Sequence, residues 1–120
     1  MAHLLIVDDD WTNLETMDKA CQFLGHQAQL CDAGSRVCQI AAASQPDLIL
    51  LDMRMTDVDG IGVMQCLRHN PATMAIPVVF ITAGLEEEES ELVKAAGAKE
   101  YLSKPVSLAT LQAVIQKYTS

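Results

Sequence analysis

The chain has 120 residues, the length of one domain with a sizeable core. Hydrophobic residues make up 50% of it and charged residues 20%, which excludes a disordered segment. With 16 acids against 8 Lys and Arg the formal net charge is −8, and that balance excludes direct nucleic-acid binding, which needs a basic patch.

No apolar stretch nears the ~20 residues that span a bilayer, and no basic segment leads into an apolar one as in a secretion signal. A cytoplasmic protein without membrane contact is expected. Cys21, Cys31, Cys38 and Cys66 show no C-x-x-C spacing and no neighbouring His pair. In a core-rich chain they read as buried thiols rather than a disulfide framework.

Leu4-Leu5-Ile6-Val7 is an apolar run too short for a stand-alone helix and reads as a strand buried on both faces. It runs into Asp8-Asp9-Asp10. Thr12-Asn13-Leu14-Glu15 has the form of a capping box and is expected to start the first helix. Leu14, Met17, Cys21 and Leu24 follow at helical spacing, and Gly25 is the stop. Residues 27–31 form a short second strand. Ser35 is the expected cap of a second helix with Val37, Ile40 and Ala41 inward, ending near Ser44 because Pro46 disfavours helical geometry at Gln45.

The third strand, Leu48-Ile49-Leu50-Leu51-Asp52, ends on a carboxylate. A turn-rich loop, Thr56-Asp57-Val58-Asp59-Gly60, leads to a third helix with an Ile61, Met64, Leu67 stripe, closed by Asn70-Pro71. Residues 76–81 are a fourth strand, with Pro77 near its beginning where proline is tolerated, and it ends on Thr82-Ala83-Gly84. A fourth helix begins in the acidic run 86–91 and stops at Gly97; acids suit the positive end of a helix. Residues 98–103 contain the last strand, followed by Lys104-Pro105. Ser107 caps a final helix carrying Leu108, Leu111, Val114 and Ile115.

Strand and helix thus alternate five times across one domain, residues 1–120. The expected fold is α/β: a doubly wound, five-stranded parallel sheet of order 2-1-3-4-5, with right-handed crossovers and helices on both faces. In such sheets the carboxyl ends of the strands face one crevice. Here they bring Asp8-Asp9-Asp10, Asp52, Thr82 and Lys104 together. Several carboxylates in one crevice repel one another. Oxygen ligands without Cys or His point to Mg²⁺ as the neutralising ion, and Mg²⁺ commonly shares its shell with a phosphoryl oxygen. Lys104 offers a charge and Thr82 a hydroxyl to such an oxygen, and a carboxylate is a competent phosphoryl acceptor.

Leu5-Ile6-Val7-Asp8-Asp9, Leu50-Leu51-Asp52, Ile81-Thr82-Ala83 and Tyr101-Leu102-Ser103-Lys104-Pro105 lie in one order along the whole chain. In this the sequence resembles the receiver domain of two-component response regulators, which has a flavodoxin-like sheet. The resemblance implies that Asp52 accepts a phosphoryl group from a phosphohistidine on a sensor histidine kinase or histidine phosphotransfer protein, and that the chain later hydrolyses it. It implies that Asp9 binds Mg²⁺ directly, Asp8 mainly through water, and Asp52 and the Arg54 carbonyl complete the protein ligands. Thr82 and Lys104 would contact the phosphoryl oxygens. Tyr101 would turn inward as Thr82 moves, reshaping the face of the fourth helix, fifth strand and fifth helix for an effector protein or output domain. Lys104-Pro105 would be a cis peptide.

Asp10 reads as a loop acid beside the matched pair, and His3, His26 and His69 lack ligand spacing. Thr56 stands where the family usually has proline. Arg54 and Gly84 border the path of an attacking water, so Arg54 is expected to shield the phosphoryl group. Val106 stands where regulators with winged-helix outputs often carry Phe. Two other functions on the same architecture fit poorly. A flavin carrier needs a Ser/Thr/Gly-rich anion loop where Asp8-Asp9-Asp10 stands. A small-substrate phosphatase needs a cap or pocket that this length leaves little room for. A degenerate receiver acting as a phosphorylation-independent scaffold is the alternative within the family, and the presence of all five matched site residues argues against it.

Overall fold

The apolar runs behave as their composition dictates. The structure, a computed structural model, describes residues 1–53, 55, 57–83, 91 and 94–119. The strands β1 (His3–Val7), β2 (Gln27–Cys31), β3 (Leu48–Asp52), β4 (Val78–Thr82) and β5 (Glu100–Ser103) form one sheet of order β2-β1-β3-β4-β5 with every pairing parallel. All five residues of β3 and of β4 are buried, whereas β5, at an edge, is largely half-buried. A strand with nothing polar in its middle is stable only where helices cover both its faces.

Side-chain alternation divides the core accordingly. Leu5, Val7, Ile49, Leu51, Val78 and Phe80 point to one face. There they meet Val37 and Ala41 of α2 (Val37–Ser44), and Val63, Met64 and Leu67 of α3 (Gly60–Arg68). Leu4, Ile6, Leu48, Leu50, Val79 and Ile81 point the other way. They meet Leu14 and Cys21 of α1 (Trp11–Phe23), and Leu111, Val114 and Ile115 of α4 (Leu108–Thr119). Each buried Val, Leu, Ile, Phe or Met side chain among them contributes about 1.5–3 kcal/mol on burial.

Several local expectations change. The cap of α1 is Asp10, whose carboxylate accepts from the Thr12 N–H at 2.8 Å, so the helix begins before the Thr12 capping box. Ser35 lies in a 3-10 turn, Gly34–Arg36, and α2 starts without a side-chain cap. The inner face of α3 is Gly60, Val63, Met64 and Leu67, with Ile61 only half-buried. Leu108 is exposed. Other punctuation follows the sequence. Gly25 takes φ +86 to end α1, Gln45 closes α2 immediately before Pro46, and the Ser107 hydroxyl accepts from the Thr110 N–H. The helix expected from residue 86 falls mostly outside the described residues, although Glu91, Lys94 and Ala95 are helical.

The cysteines need a correction. Cys21 and Cys31 are buried free thiols, but Cys38 of α2 and Cys66 of α3 are paired as a disulfide, with Cα atoms 6.4 Å apart, and Cys66 is exposed. The pairing depends on α2 and α3 covering the same sheet face, which no local spacing reveals.

Candidate functional site

Parallel registration stacks the strand ends like stairs. Val7 pairs with Leu51, Asp52 with Ile81, and Thr82 with Ser103, so Asp8, Asp52, Thr82 and Lys104 all emerge at one edge. Backbone bonds pin the loops there: the Asp8 N–H donates to the Cys31 carbonyl at 3.1 Å, Lys104 N–H to the Thr82 carbonyl at 2.7 Å, and Gly60 N–H to the Met53 carbonyl at 2.8 Å.

Carboxylate oxygens of Asp8, Asp9 and Asp52 lie within 4.8 Å of one another. Asp8 and Asp52 are buried, while Asp9 is exposed. The Lys104 ammonium answers part of this charge, donating to Asp8 Oδ2 at 2.9 Å and lying 3.5 Å from Asp52 Oδ2. Burial pulls the ammonium's pKa down, but the hydrogen bond to Asp8 and the charges of Asp52 and Asp8 outweigh it, and the net shift is upward. The other oxygen of Asp8 accepts from the Asp10 N–H at 2.9 Å. One lysine against three carboxylates leaves an excess of negative charge at a point rich in oxygen donors. This donor set suits a hard divalent cation such as Mg²⁺.

Thr82 is the second signature. Its side chain is 1% exposed, and its hydroxyl has no hydrogen-bond partner among the described residues. Leaving a hydroxyl buried and unpaired costs about 1–3 kcal/mol. A cleft of about 400 Å³ opens beside Asp8, Asp52 and Lys104, walled by Asn13, Met17 and Pro105.

Of the expected site residues, Asp8, Asp9, Asp52, Thr82 and Lys104 meet at this edge, and the Lys104-Pro105 peptide is cis. Tyr101 pairs in register with Phe80 on the adjoining strand and packs, half-buried, against the core on the α2 and α3 side. Arg54, Thr56 and Gly84 lie outside the described residues, as does the acidic run apart from Glu91. Asp10 serves as the cap of α1. Trp11, beside the acids, is half exposed and its indole N–H donates to Asp32 at 3.0 Å.

Asp57 is the residue that the sequence did not single out. Its carboxylate accepts from the backbone N–H groups of Gly34 (3.2 Å), Ser35 (3.0 Å) and Val58 (2.9 Å), tying the loop after β3 to the turn after β2. The Ser35 backbone N–H, then its side chain, and further the Gly34 and Asp57 N–H groups hold this carboxyl at about 2, against a smaller opposing effect of desolvation. An Asp in a turn-rich loop carries no sign of a long-range partner.

Known proteins match this arrangement along nearly the whole chain. Residues 4–116 fit the family described as the response regulator receiver domain. Protein PilH of Pseudomonas aeruginosa is 33% identical over 111 residues, covering 92% of each chain. The signal transduction histidine-protein kinase BarA of Escherichia coli is 30% identical over 115 residues, 96% of this chain but only 12% of the kinase. Among solved structures, the chemotaxis protein CheY4 of Vibrio cholerae shares the fold with a TM-score of 0.92 at 24% identity, covering 98% of both chains. The receiver domain of a Pseudomonas aeruginosa sensor histidine kinase, with a magnesium ion coordinated in its active site cleft, superposes with a TM-score of 0.91 at 26% identity over 98% of this chain and 97% of that one. By family match, sheet order and the residues at its carboxyl edge, the chain belongs to the response regulator receiver domains of two-component phosphorelay systems.

Proposed function

We propose that the chain accepts a phosphoryl group on Asp52 from a phosphohistidine of a sensor histidine kinase or histidine phosphotransfer protein. The observation that carries this reading is the convergence of Asp8, Asp9 and Asp52 oxygens within 4.8 Å, with Lys104 reaching both Asp8 and Asp52. An Asp52 oxygen attacks phosphorus in line, the N–P bond breaks, and the imidazole leaves. Water later attacks the aspartyl phosphate and returns the free carboxylate. The chain is therefore a phosphoacceptor regulator rather than an enzyme that turns over a separate substrate.

The residues present fit Mg²⁺. Asp9, Asp52 and the Arg54 carbonyl would hold it directly and Asp8 mainly through water, a role that suits a carboxylate whose two oxygens already accept from Asp10 and Lys104. The ion supplies charge neutralisation at the phosphoryl oxygens. Lys104 adds a second cation there, and the unpartnered Thr82 hydroxyl donates to a phosphoryl oxygen. As Thr82 moves toward that oxygen, Tyr101 turns inward and alters the face containing β5 and α4, where an effector protein or output domain binds. The setting is cytoplasmic, without a nucleic-acid or membrane partner of the chain itself. No described helix is long and apolar enough to cross a membrane.

The test is incubation with a small phosphodonor and Mg²⁺, read by intact mass and by Trp11 fluorescence. Wild type gains one phosphoryl group and Asp52→Asn gains none. Equal gain by Asp52→Asn overturns the acceptor assignment.

A further inference from the structure

Cys38 and Cys66 stand on adjacent helices over the same face of the sheet, 6.4 Å apart at Cα, inside the range a disulfide bridges. Cys66 is exposed and Cys38 half-buried, and neither belongs to the buried core. A reduced Cys38 also has a place, since its sulfur lies 3.9 Å from the Val63 carbonyl oxygen and can donate a weak S–H bond there.

We propose that Cys38 and Cys66 form a reversible redox modification site that low-molecular-weight disulfides oxidise, tethering α2 to α3. The exposed Cys66 thiolate attacks one sulfur of the reagent disulfide and releases a thiolate, leaving a mixed disulfide. The Cys38 thiolate then attacks Cys66 Sγ and releases the second reagent thiolate. The two protein thiols lose two protons and two electrons, and the reagent disulfide gains both. Exposed disulfides are the ones that such exchange readily makes and breaks.

The other two cysteines cannot substitute. Cys21 is buried, and burial, aided by the nearby Asp18 charge, pushes its thiol up to about 11; the Cys31 sulfur is buried against the Ala33 carbonyl at 3.1 Å. The position of the pair gives the bond its consequence. The bond spans a sequence separation of 28 residues, and the closed segment contains β3, Asp52 and the loop up to Asp59. Oxidation therefore tethers the helices that precede and follow the acceptor strand in the chain, both on one face of the sheet. This inference stands whether or not Asp52 is phosphorylated.

The experiment equilibrates the full chain, folded, in mixtures of reduced and oxidised glutathione. Free thiols are then alkylated and mapped by peptide mass, and thermal melting is followed in parallel. The expected result is loss of two hydrogen atoms, one peptide linking Cys38 to Cys66, and alkylation of Cys21 and Cys31 only after denaturation. The oxidised form should melt about 10–15 °C higher, the gain expected from closing a loop of this size. That rise should vanish in Cys38→Ser and in Cys66→Ser, and reversal by excess reduced glutathione should restore both thiols. The proposal is overturned if Cys66 only accumulates glutathione, if the linked peptide arises only from denatured chain, or if the melting temperature does not change.

Discussion

Replacing Thr82 by Val should strengthen the fold and weaken the chemistry. The two side chains have nearly the same volume, so the substitution leaves no cavity at a position that is 1% exposed. It removes a hydroxyl that has no partner among the described residues, and so removes a desolvation cost of about 1–3 kcal/mol. Valine also suits the last residue of a buried strand. The unphosphorylated variant should therefore be about 1 kcal/mol more stable by urea titration and melt about 4 °C higher. Phosphorylation moves the other way. A hydrogen bond from the hydroxyl to a charged phosphoryl oxygen contributes about 1.5–3 kcal/mol, so its loss should slow formation of the aspartyl phosphate about 10- to 100-fold. The assay is Trp11 fluorescence after mixing with phosphodonor and Mg²⁺, alongside urea melts in chelator. A variant destabilised by more than about 1 kcal/mol would mean the hydroxyl is paired in the free protein. A more stable variant with an unchanged phosphorylation rate would remove Thr82 from the site.

Lys104→Met strips the ammonium from Asp8 and Asp52, its neighbours at 2.9 and 3.5 Å. Breaking a fully buried pair costs ~3–5 kcal/mol, and with the lysine side chain 28% exposed the expected loss is about 1–2 kcal/mol in chelator. Mg²⁺ should recover part of it, which urea melts with and without the ion will show. Asp57 titrates in the folded chain at about 2 against an ordinary 3.8, so its stabilisation is complete above 3.8 and fades as pH falls toward 2. The gap in urea midpoint between wild type and Asp57→Ala should therefore shrink across that window; a constant gap would refute the loop tie. Gly60→Ala drives a Cβ into the Phe80 ring and to 3.0 Å from the Met53 Cα, and should cost about 1–3 kcal/mol by thermal melting.

How much of this was legible beforehand depends on the range of the interaction. Apolar runs bounded by Gly25, Pro46, Asn70-Pro71 and Gly97 reveal strands and helices, because burial on both faces demands uninterrupted apolar residues and turns demand special backbones. Alternation of those elements specifies a parallel sheet, and a parallel sheet directs its carboxyl ends to one edge. Asp8, Asp9, Asp52, Thr82 and Lys104 were thus assignable to a common crevice from order alone. Only the tertiary structure decides which oxygens meet, that Lys104 reaches both Asp8 and Asp52, and that the Thr82 hydroxyl is left without a partner among the described residues. The same holds for Asp57 on the turn at Gly34 and Ser35, and for Cys38 against Cys66. These pairs lie more than twenty residues apart and follow no local period. Their partners are chosen by which helices and loops the sheet twist brings side by side, and that is a property of the packed molecule.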